Sequence, residues 1–257
     1  METNTIGNTA QRLSSNCASR FFVRLYKSDA GILSYFKEDL CKMTEKMQAS
    51  GRQSAKRGLC AVLPIFARRS IRKFVKRELP INLINEMLNS ARMAPSAKNR
   101  QPWRFVVFGG EYKAELERCM ERGLIREESG VSVLPRSRFG LPDAKNTLKI
   151  IREAPILIII INSNGSSPFV PIDSDDRVTE ICDTLSIGAA VQNMLLTAER
   201  LGLGTLWIAN TCFAYPELTE FLKIDGQLIG AVAVGYPNEN PPERSRKSID
   251  EISEFRV

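Results

Sequence analysis

The chain has 257 residues, 43% of them apolar and 25% charged, which is enough to bury a sizeable core in one large domain or two small ones. It contains no histidine, and this excludes Ser-His-Asp and Cys-His catalysis and removes the commonest metal ligand. Chemistry must therefore depend on a cofactor or on carboxylate, Lys, Tyr or Cys side chains.

The formal net charge of +7 is compatible with a nucleic acid, an anionic membrane surface or a phosphorylated ligand. The basic residues are concentrated before residue 78 and again at 244–247, which favours a compact phosphate site and no nucleic-acid partner. The longest apolar run, at 156–161, is far shorter than the roughly 20 residues that span a bilayer, so no membrane partner is expected. The six cysteines form no Cys-x-x-Cys pair, which favours reduced thiols, a cytoplasmic location and no metal site.

Residues 1–60 are predicted to form an N-terminal extension to a folded domain at 61–257. Residues 1–28 are polar and unpatterned, which is typical of a disordered tail, although the acid-free stretch 11–27 also faintly resembles an organelle-targeting peptide. A polar linker is predicted at 49–58. Between tail and linker, apolar residues at helical spacing predict an amphipathic helix over 30–48: Leu33, Phe36, Leu40, Met43 and Met47.

In the first half of the domain, the sequence predicts one strand between two helices. A helix opens at Pro80, presents one apolar face and stops before Pro95, because proline disfavours helical geometry in the residue before it. Residues 103–108 predict a strand, and residues 112–122 predict a second helix. Residues 123–142 carry Gly, Pro and Arg without periodicity and are predicted as a long surface loop or lid.

The second half predicts three strands separated by helices. The β-branched run at 155–161 is typical of a strand buried on both faces, and the longest helix is expected at 179–201, capped by Gly202. A short strand, a short helix and a central strand should follow at 205–209, 216–222 and 229–234. The polar tail ends in a strand-like segment, and the whole order predicts an α+β fold.

A bound phosphate would have to be held by side chains, because the chain has neither Gly-x-Gly-x-x-Gly after the first strand nor Gly-x-x-x-x-Gly-Lys-Ser/Thr. Four candidate ligands lie within five positions: Arg68, Arg69, Ser70 and Arg72. Guanidinium groups bind phosphate through paired donors, and Arg244 and Arg246 form a second basic cluster far along the chain. The two clusters could converge on one dianion, or each could be a solvated charge run.

A polar turn lies between the helix that stops before Pro95 and the strand that starts at Trp103. Its sequence over residues 94–103 is Ala-Pro-Ser-Ala-Lys-Asn-Arg-Gln-Pro-Trp. Ser96 and Asn99 would lie at the end of a rigid helix, where they can donate hydrogen bonds to the polyol or ring edge of a ligand. The alternative is a plain connection between a helix and a strand.

Four parts of the sequence together resemble the nitroreductase family of FMN enzymes. Residues 68–74, Arg-Arg-Ser-Ile-Arg-Lys-Phe, and residues 94–105, Ala-Pro-Ser-x-x-Asn-x-Gln-Pro-Trp-x-Phe, are similar to the opening of that family. Residues 202–208 are similar to its Gly-Leu-Gly-x-x-Trp segment, and residues 228–237 with 244–247 are similar to its C-terminal strand and phosphate-binding tail. They occur in the family's order, which makes the combination far more specific than any one part.

The resemblance implies an α+β fold with a central, mostly antiparallel sheet flanked by helices. It also implies an intertwined homodimer, in which the C-terminal tail of each subunit lies on its partner's sheet and one FMN occupies each of two sites at the interface. By the same analogy NADH or NADPH supplies electrons to flavin N5, which carries the chemistry, and a small organic molecule such as a nitroaromatic or a quinone accepts them. No catalytic side chain and no metal are expected.

The resemblance also assigns the cofactor contacts. Both basic clusters would bind the phosphate and ribityl chain of FMN: Arg68, Arg69, Ser70, Arg72, Arg244 and Arg246. Three contacts would come from the partner subunit: Pro95, Ser96 and Asn99. Three residues would pass the isoalloxazine ring, with a backbone N–H facing flavin N5: Trp207, Ile208 and Ala209. The residue near flavin N1 and O2 is open, with Arg122 and Arg126 as candidates.

The sequence departs from the family near its start and leaves other functions open. Residues 1–60 precede the Arg-Arg-Ser motif where the family usually has far fewer, and Pro64 is unexpected inside a first helix. One alternative keeps the fold but uses the flavin in a dehydrogenase, dehalogenase or flavin-fragmenting reaction that does not draw on NAD(P)H. Another is a basic protein that binds nucleic acid or a membrane through residues 11–77.

Overall fold

Residues 64–257 are described by the computed structural model of the chain. The predicted tail at 1–28, the amphipathic helix at 30–48 and the linker at 49–58 lie outside the described residues. The chain divides into two compact units, of which one is formed by residues 63–243 and the other includes Arg244–Val257. None of the helices within the described range combines the length and the apolarity that crossing a bilayer would need.

The described residues form one antiparallel sheet, with its strands in the order β1-β2-β4-β3. The strands are β1 Trp103–Gly109, β2 Ile156–Asn162, β3 Gly204–Ile208 and β4 Gln227–Gly235. The sequence predicts each strand with ends within two residues of those observed. The antiparallel sheet with its flanking helices confirms the predicted α+β class.

Helices cover both faces of the sheet. The longer ones in the unit at 63–243 are α1 Ile81–Ala91, α2 Gly110–Glu128, α3 Leu141–Glu153, α4 Ser174–Arg200 and α5 Tyr215–Leu222. Even-numbered residues of β2 pack with α1 and α4 in one hydrophobic core, and odd-numbered residues pack with α2, α3 and α5 in another. Both cores share β2 because successive strand residues point to opposite faces, which explains why the run at 155–161 is apolar throughout.

The longest helix, α4, begins at Ser174 rather than at the predicted position 179. Asp173 caps it, since its side chain accepts a hydrogen bond of 2.8 Å from the Asp176 N–H. The first turn is charged and exposed, so apolar periodicity does not indicate it. The capping residue Asp173 is the sequence signal that marks this helix start. At the other end Gly202 has a φ of +72°, a left-handed conformation that ends the helix as predicted.

The predicted long loop or lid at 123–142 is wrong. Helix α2 continues to Glu128, a 3-10 helix occupies Pro135–Gly140, and α3 begins at Leu141. Gly123 lies inside α2, and a Cβ at this position would be 2.3 Å from the Ala214 Cβ. The glycine therefore allows close packing of α2 on the segment before α5.

The C-terminal tail also differs from the predicted strand-like end. It contains the one-turn helix α6 Ile249–Ile252, and residues 244–257 form no strand. Ser248 Oγ accepts from the Glu251 N–H at 3.3 Å, and the Glu251 carboxylate accepts from the Ser248 N–H at 2.7 Å. This capping box specifies a helix start. Placement of the tail on a partner's sheet remains a prediction from the family resemblance.

Candidate functional site

The first basic cluster, residues 68–72, lies against the outer strand β3. The Ile71 N–H donates to the Thr205 carbonyl at 2.9 Å, and Ser70 and Thr205 form a parallel bridge. Ile71 is buried in the core, and Gly204 allows its approach, since a Cβ on Gly204 would lie 2.9 Å from Ile71 side-chain atoms. The buried isoleucine thus anchors a charged segment beside the strand that contains Trp207.

The chain after this cluster continues along the end of β4. The Val75 N–H donates to the Tyr236 carbonyl and the Asn238 N–H donates to the Lys73 carbonyl, each at 2.9 Å. The Arg77 guanidinium lies 4.4 Å from the centre of the Tyr236 ring, a cation–π contact. Together with the Ile71–Thr205 bond, these contacts fix the backbone within and directly after the cluster, so its side chains project from an ordered segment.

The side chains of the cluster differ in how far they are already engaged. Those of Arg68 and Ser70 make no hydrogen bond with any described residue, and Arg72 Nη1 donates only to the Ser70 carbonyl, at 3.1 Å. Arg69 is engaged throughout: Nη1 donates to the carbonyls of residues 66–68 at 2.6 to 3.1 Å, and Nη2 lies 3.1 Å from Glu243 Oε2. Arg68, Ser70 and Arg72 therefore retain donors for an anion, whereas Arg69 closes the helical turn at 64–67.

Three carboxylates surround the cluster. Glu239 accepts from the Arg72 backbone N–H at 2.5 Å, and Glu243 pairs with Arg69. Burial raises the pKa of Glu199, although the positive charges of Arg68 and Arg69 act in the opposite direction. An anion bound at the cluster would therefore compete with acidic side chains of the same chain.

The polar turn that follows α1 has an unusual backbone. Helix α1 ends at Ala91, and a short 3-10 turn covers Ala97–Asn99. Lys98, Asn99 and Gln101 have φ angles of 53°, 53° and 49°, a left-handed conformation that costs a non-glycine residue about 1–3 kcal/mol. Ser96 Oγ accepts from the Gln101 N–H at 3.0 Å, while the Asn99 side chain makes no hydrogen bond within the described residues. Such strain is concentrated at ligand clamps and active sites.

The turn is attached to α4 by an ion pair whose acidic partner is buried. Arg100 Nε donates to Asp183 Oδ1 at 2.9 Å, and Nη2 lies 2.7 Å from the same oxygen without hydrogen-bond geometry. The Asp183 side chain is 1% exposed, and its Oδ2 accepts from Asn164 Nδ2 at 3.2 Å. Ala97 also donates its N–H to Ser186 Oγ at 3.3 Å. Arg100 and Asp183 were not among the predicted site residues, although an acid in the buried stripe of the longest predicted helix was a usable signal.

The residues at the end of β3 alternate in the direction they face. The Trp207 side chain is 44% exposed, whereas Ile208 is part of the core and Ala209 is exposed again. A Cβ on Gly188 of α4 would be 4.0 Å from the Trp207 ring, so the glycine leaves room beside it. Trp207 and Ala209 can therefore contact a ligand through side chains, but Ile208 can do so only through its backbone.

The other predicted basic residues have different surroundings. Arg244 and Arg246 belong to the unit that includes Arg244–Val257, where Arg246 Nη1 donates to the carbonyls of residues 244 and 245 at 3.3 and 3.1 Å. Their role at a phosphate remains a prediction. Arg126, a candidate for flavin N1 and O2, is held by the Glu217 carboxylate at 2.6 Å and by Glu127 at 2.7 Å. Its donors are thus committed to joining α2 and α5.

The chain is similar to known proteins both in sequence and in fold. The nitroreductase family model matches residues 65–236. A protein of Methanothermobacter thermautotrophicus, provisionally named NADH dehydrogenase/NAD(P)H nitroreductase, is 28% identical over 73% of this chain and 83% of its own length. An iodotyrosine deiodinase from Thermotoga neapolitana is 27% identical over 71% of this chain and 91% of its own length. The crystal structure of a variant FMN- and NADPH-dependent nitroreductase from Sphigopyxis sp. strain HMH has a TM-score of 0.60 at 20% identity, and the match covers 77% of this chain and 99% of that one.

Proposed function

Because the chain belongs to the nitroreductase family, we propose that it is an FMN-dependent oxidoreductase, which uses NADH or NADPH to reduce a small organic acceptor such as a nitroaromatic or a quinone. A bound FMN would supply the redox chemistry, by carrying hydride between the nicotinamide and the acceptor. The names of the relatives support both the cofactor and the electron donor. In this proposal the domain begins near residue 61, residues 1–60 are a separate extension, and the protein is cytoplasmic.

The observation that carries the proposal is the position of the basic cluster on the edge of β3. Arg68 and Ser70 lie in a segment fixed by the Ile71–Thr205 hydrogen bond, and their side chains have no hydrogen-bond partner among the described residues. With Arg72 they offer guanidinium and hydroxyl donors, which is the donor set that a phosphate requires. Arg69, by contrast, would act by shaping the segment, because a phosphate would have to replace its present partners.

The end of β3 offers a surface for a flat ring. Trp207 and Ala209 are exposed on it, and Gly188 leaves space beside the tryptophan. The backbone of residues 207–209 would orient the isoalloxazine through its N–H groups, in keeping with the family resemblance. Pro95, Ser96 and Asn99 would complete the site from the partner subunit, with the Asn99 amide still able to donate.

A homodimer is part of this proposal. Val178, Ile181 and Leu185 are exposed on α4 at spacings of three and four, which places them along one side of the helix. A contiguous apolar strip on a surface helix is typical of a protein interface. A second copy of the chain would bury this strip and bring its own polar turn to the cofactor.

The absorption spectrum of the purified protein tests the cofactor directly. We expect the two visible bands of bound FMN, either on purification or after incubation with FMN followed by gel filtration. NADH or NADPH added under anaerobic conditions should then bleach these bands, and a nitroaromatic or quinone should restore them. A protein that stays colourless after FMN addition would contradict the proposal.

A second candidate function is reductive dehalogenation by the same fold. It is favoured by the deiodinase from Thermotoga neapolitana, which matches 71% of this chain. In this case the flavin site would be retained, but NAD(P)H would not reduce the flavin directly. Anaerobic mixing separates the two functions: the leading proposal predicts bleaching by NADH or NADPH, whereas the alternative predicts bleaching by dithionite alone and release of halide from a halogenated phenol.

A further inference from the structure

The strained turn at 96–101 needs an anchor outside itself. Lys98, Asn99 and Gln101 all have left-handed backbone, which residues other than glycine adopt only where the surrounding structure imposes it. The hydrogen bond from the Gln101 N–H to Ser96 Oγ closes the turn internally and does not tie it to the rest of the protein. Its contacts with α4 supply such an anchor, and directly after the turn the Ser163 N–H donates to the Pro102 carbonyl at 2.8 Å.

Two contacts join the turn to α4, and they differ in strength. The Ala97 N–H donates to Ser186 Oγ at 3.3 Å, a long bond between neutral groups. Arg100 donates to Asp183 at 2.9 Å, and both partners of this bond are charged. Charge-assisted hydrogen bonds are about twice as strong as neutral ones, so the Arg100–Asp183 pair is the principal anchor.

The Asp183 carboxylate is connected to the sheet by hydrogen bonds through Asn164. Asn164 Nδ2 donates to Asp183 Oδ2 at 3.2 Å, and the Asn164 backbone N–H donates to Asn162 Oδ1 at 3.1 Å. Asn162 is the last residue of β2 and is fully buried. A continuous set of hydrogen bonds thus runs from the central strand through Asp183 to Arg100, which lies between the left-handed residues.

We propose that Asp183, acting through Arg100, is a positioning residue that sets the conformation in which Ser96 and Asn99 contact FMN. The inference rests on the proposed function, because these two residues are cofactor contacts only if the chain binds FMN. Asp183 does not touch the cofactor in this scheme. It fixes the backbone that presents the two contacts, so its loss weakens cofactor binding without removing any cofactor ligand.

The test combines hydrogen–deuterium exchange with FMN titration of Asp183→Asn. The substitution keeps the shape of the side chain but removes the charge that Arg100 requires. We expect faster exchange at 96–101 in the FMN-free protein and an FMN Kd raised by about tenfold. If Asp183→Asn does not fold, Arg100→Lys takes its place in the test. This substitution changes the more exposed partner, keeping its charge but removing the planar guanidinium, and it should give the same two effects.

Glu117→Gln is the matched control. Glu117 pairs with the buried Lys113 on α2, so this change also removes one carboxylate from a shielded ion pair. We expect it to lower the melting temperature while leaving the FMN Kd and exchange at 96–101 as in the unmodified protein. A purely structural role for Asp183 predicts this same pattern for Asp183→Asn, and that result would overturn the proposal.

The two levels of the proposal fail in different ways. If the unmodified protein does not bind FMN, the proposed function is wrong and the assignment of Asp183 to cofactor binding is wrong with it. If the unmodified protein binds FMN but the Asp183→Asn and Arg100→Lys proteins bind it with the same Kd, only the positioning role is wrong. Faster exchange at 96–101 together with weaker FMN binding supports both.

Discussion

Two neighbouring arginines of the basic cluster use their guanidinium groups in opposite ways. Arg69 donates to three backbone carbonyls and pairs with Glu243, whereas the Arg68 side chain makes no hydrogen bond with any described residue. A bond already made in the free protein contributes to folding, and a donor left over contributes to binding. We therefore expect Arg69 to contribute mainly to the stability of the fold and Arg68 mainly to the affinity for the cofactor.

Alanine substitution of each arginine tests this separation. We expect Arg68→Ala to weaken FMN binding by about 1.5–3 kcal/mol through a lost charged hydrogen bond, with little change in the free energy of unfolding. Arg69→Ala should instead lower the free energy of unfolding by about 1–3 kcal/mol. FMN titration and urea unfolding of the cofactor-free protein measure the two effects. Arg118→Ala, on the exposed face of α2, should change neither quantity, and equal losses of affinity in Arg68→Ala and Arg69→Ala would contradict the distinction.

The raised pKa of Glu199, whose carboxylate interacts with Arg68 and Arg69, predicts that the stability of the protein depends on pH. Burial raises the pKa of its carboxyl in the folded protein, so the neutral form is favoured there. The resulting stabilisation is complete below the pKa of the unfolded chain and is lost as the pH rises through the folded pKa. Glu199→Gln should therefore raise the melting temperature more at about pH 7 than at about pH 4. An equal effect at both pH values would mean that the carboxyl is not perturbed.

At the scale of elements, helical glycines can be sorted by the space around them. Gly123 on α2 lies against Ala214, where a Cβ would be 2.3 Å from another Cβ, whereas a Cβ on Gly188 of α4 would have its nearest neighbour at 4.0 Å. We expect Gly123→Ala to destabilise the protein by about 1–3 kcal/mol through overpacking. Gly188→Ala should stabilise the cofactor-free protein by up to about 1 kcal/mol, because alanine is the better helix former.

Urea unfolding of the two variants checks these signs, and each serves as the control for the other. If both changes stabilise the protein, the close contact between α2 and the segment before α5 is wrong. If both destabilise it, the space beside Trp207 is smaller than the structure indicates. The pair thus tests the packing on both faces of the sheet independently of the cofactor.

The elements that sequence analysis predicted well are those whose position follows from side-chain periodicity. The apolar run of β2 is typical of a strand shared by two cores, and α1 presents one apolar face. The helical residues 123–128 were predicted as loop because the stretch 123–142 lacks periodicity, and Ala214, against which Gly123 packs, is distant in the sequence. The α4 start and helix α6 were missed although Asp173 and Ser248 carry the cap signals.

The candidate site was predictable in its residue types and less so in its contacts. The order of motifs identified the basic cluster, the polar turn and the end of β3. It could not show that Arg69 pairs with Glu243, nor that Arg126 joins α2 to α5, because both contacts depend on residues brought close only by folding. Asp183 was missed for the same reason, since its partner Arg100 lies in another element.

At the scale of the whole molecule, the proposed homodimer depends on the exposed apolar strip of α4. Ile181→Arg would place a charge in the middle of this strip, between Val178 and Leu185. We expect the variant to be monomeric by analytical ultracentrifugation and to lose FMN, because the partner's turn would no longer reach the site. Ile125→Arg, at a similarly exposed isoleucine on α2, is the control and should remain dimeric. A dimeric Ile181→Arg protein would mean that another surface forms the interface.

The segment that carries the basic cluster also covers an open edge of the sheet. β3 is the last strand in the order β1-β2-β4-β3, and Ile71 donates to the outward-facing Thr205 carbonyl. An uncovered edge presents unpaired N–H and C=O groups that recruit strands from other chains. We therefore expect residues 68–72 to protect this edge from aggregation as well as to offer donors to an anion. A chain shortened to begin after residue 75 should consequently be lost from the soluble fraction before any defect in affinity can be measured.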